Sequence, residues 1–243
     1  MVIATGPDRR ALLAGAVAGL VVPAHLTAAM LAPGPRLFSG TELGRNPVAL
    51  GFEKVDLSLP KIKLADGAHG LSLDTLSGKT RIVTLWAEWC VPCLVEARDF
   101  AALRRRFAGP GFDIVAVLTA SAEKLDFAAA TTRLKQARVE DLPLLVEPDG
   151  GARLMLGLSP APSGRGGSLP CTLLVDARGR IRGRSHGAPT AALRSTDASP
   201  RAPHVLTNAE KQAMLASDQG TLWASAAGDA LITALRGGIL DQL

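Results

Sequence analysis

Two cysteines three positions apart are the residues of this chain whose type and spacing most directly suggest chemistry. Cys90 and Cys93 follow a run expected to be a buried strand, residues 81–87, and precede an amphipathic run expected to be a helix, residues 94–107. Backbone N–H groups at a helix start, together with the positive end of the helix dipole, favour a thiolate at Cys90. Cys93 lies one turn later on the same face, where it can close a disulfide with Cys90. The pair therefore predicts thiol–disulfide exchange.

Other uses of paired cysteines fit this sequence less well. The chain has three cysteines and four histidines, with no second Cys-x-x-Cys and no His-x-His to complete a four-ligand zinc site. Leucine, and not histidine, follows Cys93, which argues against covalent haem attachment. A permanent structural disulfide is the alternative without chemistry. We expect no metal and no cofactor other than the redox-active disulfide Cys90–Cys93.

The eight residues W-A-E-W-C-V-P-C at positions 86–93 resemble the active-site motif of the thioredoxin superfamily. Within it, the chain resembles the TlpA-like branch, which includes the ResA and CcmG proteins, because a predicted hairpin and the phrase at residues 73–79 precede the motif. The resemblance covers residues 54–188 and 221–238. It implies a thiol:disulfide oxidoreductase that exchanges its Cys-x-x-Cys disulfide with protein substrates.

The order of strands and helices agrees with an α/β class. The resemblance implies a thioredoxin-like fold, with a central mixed sheet flanked by helices, and this chain carries two further segments. One is an amino-terminal β-hairpin extension, residues 59–64 and 70–73, where apolar and polar side chains alternate. The other is an insertion at about residues 189–220, before the last helix. Further strands are predicted at residues 112–118, 142–146 and 181–186 and within 169–176, and further helices at residues 122–136, 152–158, 208–217 and 223–236.

The amino terminus is expected to be a targeting segment. Arg9 and Arg10 precede an apolar run, residues 11–32, in a pattern that resembles a twin-arginine export signal. The run can be removed by cleavage before Met30 or stay as an inner-membrane anchor, and both outcomes place the rest of the chain in the bacterial periplasm. The chain thus divides into a targeting segment, a linker and a thioredoxin-like domain: residues 1–32, 33–53 and 54–243.

The resemblance implies roles for individual residues near the pair. Pro170 stands where the family has its cis-proline, and with Leu169 and Trp89 it is implied to bind the substrate chain. Thr84 stands where thioredoxin has a buried aspartate, so a proton relay through that aspartate is absent. Glu96, three residues after the second cysteine, is implied to exchange a proton with that thiol. The alternative for Glu96 is an ordinary surface position on the helix.

Cys171 is the odd cysteine, and it follows Pro170 where family members commonly have threonine. A third thiol near the pair can form a mixed disulfide within the chain or shift the pKa values of the pair. The alternative is a small buried side chain that behaves as a hydrophobe. Both interpretations stay open at the level of sequence.

Charge and composition narrow the partners. The net charge is +5, with one dense basic cluster at residues 104–106. Because no basic stripe is interleaved with aromatic residues, we expect no nucleic-acid binding. The resemblance implies a monomer whose partners are disulfide-bearing or dithiol proteins, as in cytochrome c maturation or copper-oxidase assembly. It also implies a membrane thiol reductant that re-reduces the pair.

Two other functions compete with this interpretation. A copper chaperone could use Cys90, Cys93 and Cys171 as soft ligands for Cu(I). A thiol peroxidase-like antioxidant enzyme is the other, but peroxiredoxins place proline and threonine shortly before a single peroxidatic cysteine. The residues before Cys90 do not follow that arrangement.

Overall fold

The computed structural model describes residues 35–62, 64, 72–87, 90–119, 142–147, 169–189 and 220–243, with isolated positions 131–132, 135, 139, 209, 213 and 216. Every described residue lies in one compact unit, Gly34–Leu243. The predicted targeting segment and anchor therefore lie outside the described residues. Within those residues, no helix combines the length and hydropathy needed to cross a membrane.

A mixed sheet lies at the centre of the described part of the chain. Its strands are β1 (Glu53–Ser58), β2 (Thr80–Trp86), β3 (Phe112–Thr119), β4 (Leu144–Glu147), β5 (Cys171–Val175) and β6 (Arg180–His186), in the order β1-β6-β5-β2-β3-β4. β2, β3 and β4 run parallel, whereas β5, β6 and β1 are joined by antiparallel pairings. The predicted α/β class with a mixed sheet is confirmed.

Apolar side chains cover both faces of the central strands. Because successive residues of a strand point to opposite faces, β2 contributes Ile82 and Trp86 to one buried cluster and Val83 and Leu85 to the other. The first cluster also contains residues of two helices, α1 (Val91–Phe107) and α2 (Ala226–Arg236). Near-continuous apolar runs of this kind are typical of parallel strands that are buried on both faces.

The stretch expected to be a linker, residues 33–53, is instead part of the folded domain from its first described residues. Leu37 donates its N–H to the carbonyl of Phe52 over 3.0 Å. Five side chains of the stretch are buried in the cluster that contains α1: Leu37, Phe38, Val48, Ala49 and Phe52. The prolines and glycines between them form turns, although their frequency in the sequence is typical of a linker. The scattered apolar residues supplied enough buried surface to order the segment.

The predicted amino-terminal hairpin is also different. The first strand is β1, Glu53–Ser58, which pairs with β6 at one side of the sheet. Residues 59–62 are not a strand, and among the described residues one backbone hydrogen bond, from Leu73 N–H to the Ile62 carbonyl over 2.8 Å, joins the two predicted halves. Residues 63 and 65–71 lie outside the described part. β1 was missed because most of its side chains are charged or exposed, so it lacks an apolar alternation.

The remaining predicted helices are described only in part. The described positions within the predicted helices 122–136 and 208–217 are helical, whereas the helix predicted at 152–158 lies outside the described residues. The last helix is present as α2, preceded by a 3₁₀ turn at Leu222–Ala224. The two ends of the insertion meet, because Leu222 donates its N–H to the Pro189 carbonyl over 2.6 Å.

Candidate redox site

The two cysteines of the motif are joined where β2 leads into α1. Cys90 and Cys93 form a disulfide with a Cα–Cα distance of 5.3 Å. Cys90 is the N-cap residue with extended backbone angles, and its carbonyl accepts the N–H of Leu94 over 3.2 Å. Pro92 lies in the first turn, where a residue without an N–H loses no helical hydrogen bond. The pair therefore lies at the helix start, as its spacing predicted.

Solvent has little access to the redox pair. Cys90 is 4% exposed and Cys93 is 2% exposed, so both sulfurs are buried in this disulfide state. Trp86 is also buried in the core, whereas Trp89 lies outside the described residues. The two cysteines therefore hardly differ in exposure. The reason is that both cysteines pack into the same apolar cluster as the inner face of α1.

Glu96 is not a surface residue. Its side chain is 1% exposed and forms three hydrogen bonds, none of them to Cys93, within the described part of the chain. The indole N–H of Trp223 donates to Oε1 over 3.0 Å. The hydroxyls of Thr84 and Thr172 lie 3.3 and 3.4 Å from Oε2. The alternative of an exposed helix glutamate is therefore wrong.

Burial changes the acidity of this carboxyl. Removal from water raises the pKa of Glu96 from 4.5 to about 8, and the negative charge of Asp99 acts in the same direction. The hydrogen bonds from Trp223, Thr84 and Thr172 oppose the rise, because they stabilise the carboxylate. A group with a pKa in this range can both bind and release a proton near neutral pH.

The two threonines reach Glu96 because of the register of the sheet. Thr84 on β2 and Thr172 on β5 are directly opposite each other, and both point to the face that α1 covers. Glu96 reaches down from α1 to the same point. Thr84, at the position of the buried aspartate in thioredoxin, therefore lies next to the carboxylate of Glu96, which α1 supplies. Thr172 was not singled out from the sequence, although the alternation of β5 places it opposite to Cys171.

A second buried carboxylate lies one turn further along α1. Asp99 Oδ2 accepts both the backbone N–H and the hydroxyl of Thr221 at 2.5 Å. Thr221 in turn accepts the backbone N–H of Trp223 at its Oγ1 over 3.2 Å. Burial raises the pKa of Asp99, and the hydrogen bonds from Thr221 oppose that rise. Together, Glu96 and Asp99 attach the segment before α2 to the active-site helix. Trp223 had no local sequence signal for this role, because it lies 127 residues from Glu96.

The implied cis-proline is present. The Leu169–Pro170 peptide bond is cis, and the Pro170 carbonyl accepts the N–H of Gly187 over 2.8 Å. Cys171, the next residue, pairs with Leu85 near the end of β2. Because β5 runs antiparallel to β2, the start of β5 lies beside the end of β2. The loop that carries Leu169 and Pro170 therefore lies at the end of the sheet from which the chain continues to Cys90. Leu169 is half-buried.

Cys171 lies on the other face of the sheet. It is fully buried in the cluster of Val83, Leu85 and Leu173, whereas the redox pair belongs to the cluster that contains α1. Burial raises the pKa of its thiol to about 12. A mixed disulfide with Cys90 would require this side chain to pass through the sheet. The geometry therefore favours the interpretation of Cys171 as a small buried hydrophobe over that of a third redox thiol.

Metal ligands do not gather in the described part of the chain. No group of three or more histidine, cysteine, aspartate or glutamate side chains there has the geometry to hold an ion.

A mixed α/β sheet, a Cys-x-x-Cys disulfide at the start of a helix and a cis-proline at the entrance of the neighbouring antiparallel strand are the features of the thioredoxin superfamily. The model of the AhpC/TSA family matches residues 55–184, more than half of the chain. The chain therefore belongs to the AhpC/TSA family.

Several solved structures are similar to this chain at low identity. A candidate thiol:disulfide interchange protein DsbE from Chlorobium tepidum is 19% identical, with a TM-score of 0.44 over 76% of this chain and 95% of that one. A thiol:disulfide interchange protein from Bacteroides sp. is 20% identical, with a TM-score of 0.43 over 54% and 80%. A secreted thiol-disulfide isomerase from Corynebacterium glutamicum is 20% identical, with a TM-score of 0.43 over 56% and 81%. The chain is placed in the AhpC/TSA family by the match over residues 55–184, and not by these structures.

Proposed function

We propose that this protein is a thiol:disulfide oxidoreductase that exchanges the Cys90–Cys93 disulfide with protein substrates. The observation that carries the proposal is the closed disulfide at the amino terminus of α1, next to the loop of the cis-Pro170. Helix-start cysteines are activated by the local N–H groups and dipole. Buried Glu96 adds a group that can accept and return a proton near the pair.

The reaction balances with the pair acting as reductant. The Cys90 thiolate attacks one sulfur of a partner's disulfide, which forms a mixed disulfide and releases the other partner sulfur as a thiolate. The Cys93 thiol then loses its proton and attacks the Cys90 sulfur, which releases the second partner sulfur. Two electrons pass to the partner, whose two sulfurs take up two protons. The pair ends as the disulfide seen here.

Glu96 is proposed to handle the proton of Cys93. The carboxylate follows Cys93 by three residues, which places both on neighbouring positions of one helix face. In its ionised form it can accept the thiol proton before resolution, and in its protonated form it can return that proton when the pair is reduced again. Its side chain is 1% exposed, so bulk water has little access to the carboxyl.

Within the thioredoxin superfamily, we propose that this protein belongs to the TlpA-like branch. We also propose that the segment that contains Arg9 and Arg10 directs its export to the periplasm. The support is the sequence pattern described above, together with Glu96 and the cis-Pro170. The proposed partners are disulfide-bearing proteins of cytochrome c maturation or copper-oxidase assembly, with a membrane thiol donor that re-reduces the pair. Leu169, Pro170 and Trp89 are proposed to bind the partner chain.

Trapping tests the proposal most directly. In Cys93→Ala, the mixed disulfide on Cys90 cannot be resolved, so partners should accumulate in a covalent complex that dithiothreitol releases. The double variant Cys90→Ala/Cys93→Ala is the matched control and should trap nothing. The absence of any reducible complex in Cys93→Ala would contradict the proposal.

Turnover separates this function from its alternatives. The wild-type protein should reduce insulin or glutathione disulfide catalytically when a chemical reductant is supplied. Faster turnover of a hydroperoxide than of any disulfide would favour the peroxidase alternative. Stoichiometric retention of Cu(I) without disulfide turnover would favour the copper chaperone.

A further inference from the structure

We propose that Trp223 is a positioning residue for Glu96. Its indole N–H donates to Oε1, so that the proton exchanged at this carboxyl is carried on Oε2, beside the hydroxyls of Thr84 and Thr172. The inference deepens the proposed function and rests on it, because it says how the group that serves Cys93 holds its proton.

The chemistry of an indole makes the two carboxyl oxygens unequal. Trp223 Nε1 can donate a hydrogen bond but cannot accept one, and it lies 3.0 Å from Oε1. A proton on Oε1 would make it the hydroxyl oxygen of the acid, which accepts a hydrogen bond less well than the carbonyl oxygen, and would so weaken the bond to a buried donor. Protonation at Oε2 instead keeps Oε1 as the better acceptor for the indole N–H in both states of Glu96. The proton is left with Oε2.

The surroundings of Oε2 suit both protonation states. A threonine hydroxyl can donate to a carboxylate and can also accept from a carboxylic acid by rotation. Thr84 and Thr172 each place such a hydroxyl near Oε2, at 3.3 and 3.4 Å. These O···O distances are at the long end of hydrogen bonding. Oε1 thus faces an indole N–H that can only donate, and Oε2 faces two hydroxyls that can donate or accept. This difference places the proton on Oε2.

The position of Trp223 is held by contacts other than its N–H. Its ring packs against Phe100, with centroids 5.0 Å apart, and meets Phe52 edge-on at 6.1 Å. Its backbone N–H is bound by Thr221, which Asp99 holds in turn. Removal of the indole N–H alone is therefore a specific change, since packing and backbone contacts keep an aromatic ring at the same place.

The other ionisable groups around Glu96 are few in the described residues. Asp99 on the same helix acts on it through its charge, and Glu96 in turn acts on the thiol of Cys171 on β5. Cys93 lies one turn before it on α1. From β2 and from the segment before α2, the groups that contact Glu96 are the uncharged Thr84 and Trp223. The hydrogen bond of Trp223 is the largest of the contributions that lower the pKa of Glu96.

Infrared spectroscopy of the oxidised protein tests the inference without turnover. The carboxylic C=O band of Glu96 is identified by its loss in Glu96→Gln, and its intensity is followed against pH. In Trp223→Phe the titration midpoint should rise by about one pH unit, the size of one charge-assisted hydrogen bond. The band should also move to higher frequency, because the C=O oxygen is Oε1 and has lost its donor.

Thr172→Val is the matched variant on the other oxygen. It should shift the titration midpoint but move the C=O band much less than Trp223→Phe does, since it changes the surroundings of the protonated Oε2. Trp223→Phe alone should alter the pH profile of the step in which Cys93 resolves the mixed disulfide. In a protein that also carries Glu96→Gln, Trp223→Phe should leave that pH profile unchanged. If Trp223→Phe fails to fold, the isosteric benzothiophene analogue of tryptophan at position 223 removes the N–H with the ring kept.

The outcomes separate this inference from the proposed function. An unchanged midpoint and band in Trp223→Phe, or a larger band shift in Thr172→Val, would overturn the assignment of the proton to Oε2. If the variants show the expected infrared shifts but the wild-type protein exchanges no disulfide, the proposed function is overturned, while the assignment of the proton to Oε2 stands.

Discussion

Replacement of Glu96 by glutamine should remove much of the pH dependence of this protein's stability. The buried carboxyl has a pKa of about 8 in the folded protein, against 4.5 as its ordinary value. Because the folded-state pKa is raised, the stability linked to this group is fully present below pH 4.5 and is lost as the pH rises through 8. Within that window the free energy of unfolding should fall by about 1.4 kcal/mol per pH unit.

Glutamine is a good mimic of the protonated acid at this site. Its carbonyl oxygen can accept from the indole of Trp223, and its amide N–H₂ can donate to the hydroxyls of Thr84 and Thr172. Near pH 5 the two proteins should therefore be similar in stability. Near pH 9 Glu96→Gln should exceed the wild type, and the difference between them should have grown by about 4 kcal/mol over that range.

The measurement is denaturant unfolding of the oxidised proteins at several pH values, with the slope against denaturant checked for constancy. In the oxidised state Cys90 and Cys93 do not titrate, so the two proteins differ in the carboxyl of Glu96 and in its interaction with the charge of Asp99. Glu42→Gln removes an exposed carboxylate outside the site and serves as the control, so its stability should parallel that of the wild type. Parallel curves for Glu96→Gln and wild type would refute the account of a buried carboxyl with a raised pKa.

Two further predictions concern Cys171 and the amino terminus. In the oxidised native protein near pH 8, a thiol reagent should leave Cys171 unmodified and should label it once denaturant is added, because burial raises its pKa to about 12; equal labelling rates in both conditions would show an accessible thiol. Replacement of Arg9 and Arg10 by lysine should leave precursor in the cytoplasm if the segment is a twin-arginine signal, whereas normal export of the double variant would make these residues an ordinary basic region.

The redox pair and its supporting strand and helix could be predicted from local sequence. Cys90, Cys93 and Pro92 owe their positions to the start of α1, and a helix start depends on residues within one turn. The strands β2 and β3 followed from near-continuous apolar runs. Pro170 was located through its family resemblance, and its cis bond is present. Features of this kind are encoded over a few neighbouring residues.

Other features could not be predicted, because they depend on contacts between distant parts of the chain. The segment before β1 was interpreted as a linker, since burial of Leu37 and Phe52 requires a core that other elements supply. β1 itself has few apolar residues and exists because β6 offers it a partner.

The candidate site shows the same division most clearly at Glu96. Its spacing from Cys93 was visible in the sequence, but a glutamate on a helix can face water or the core, and the sequence left both open. The sheet register that aligns Thr84 with Thr172, and the packing that brings Trp223 from the end of the chain, decided the matter. Burial against those partners is what raises the pKa of Glu96 to about 8. Desolvation belongs to the assembled tertiary structure and to no single segment.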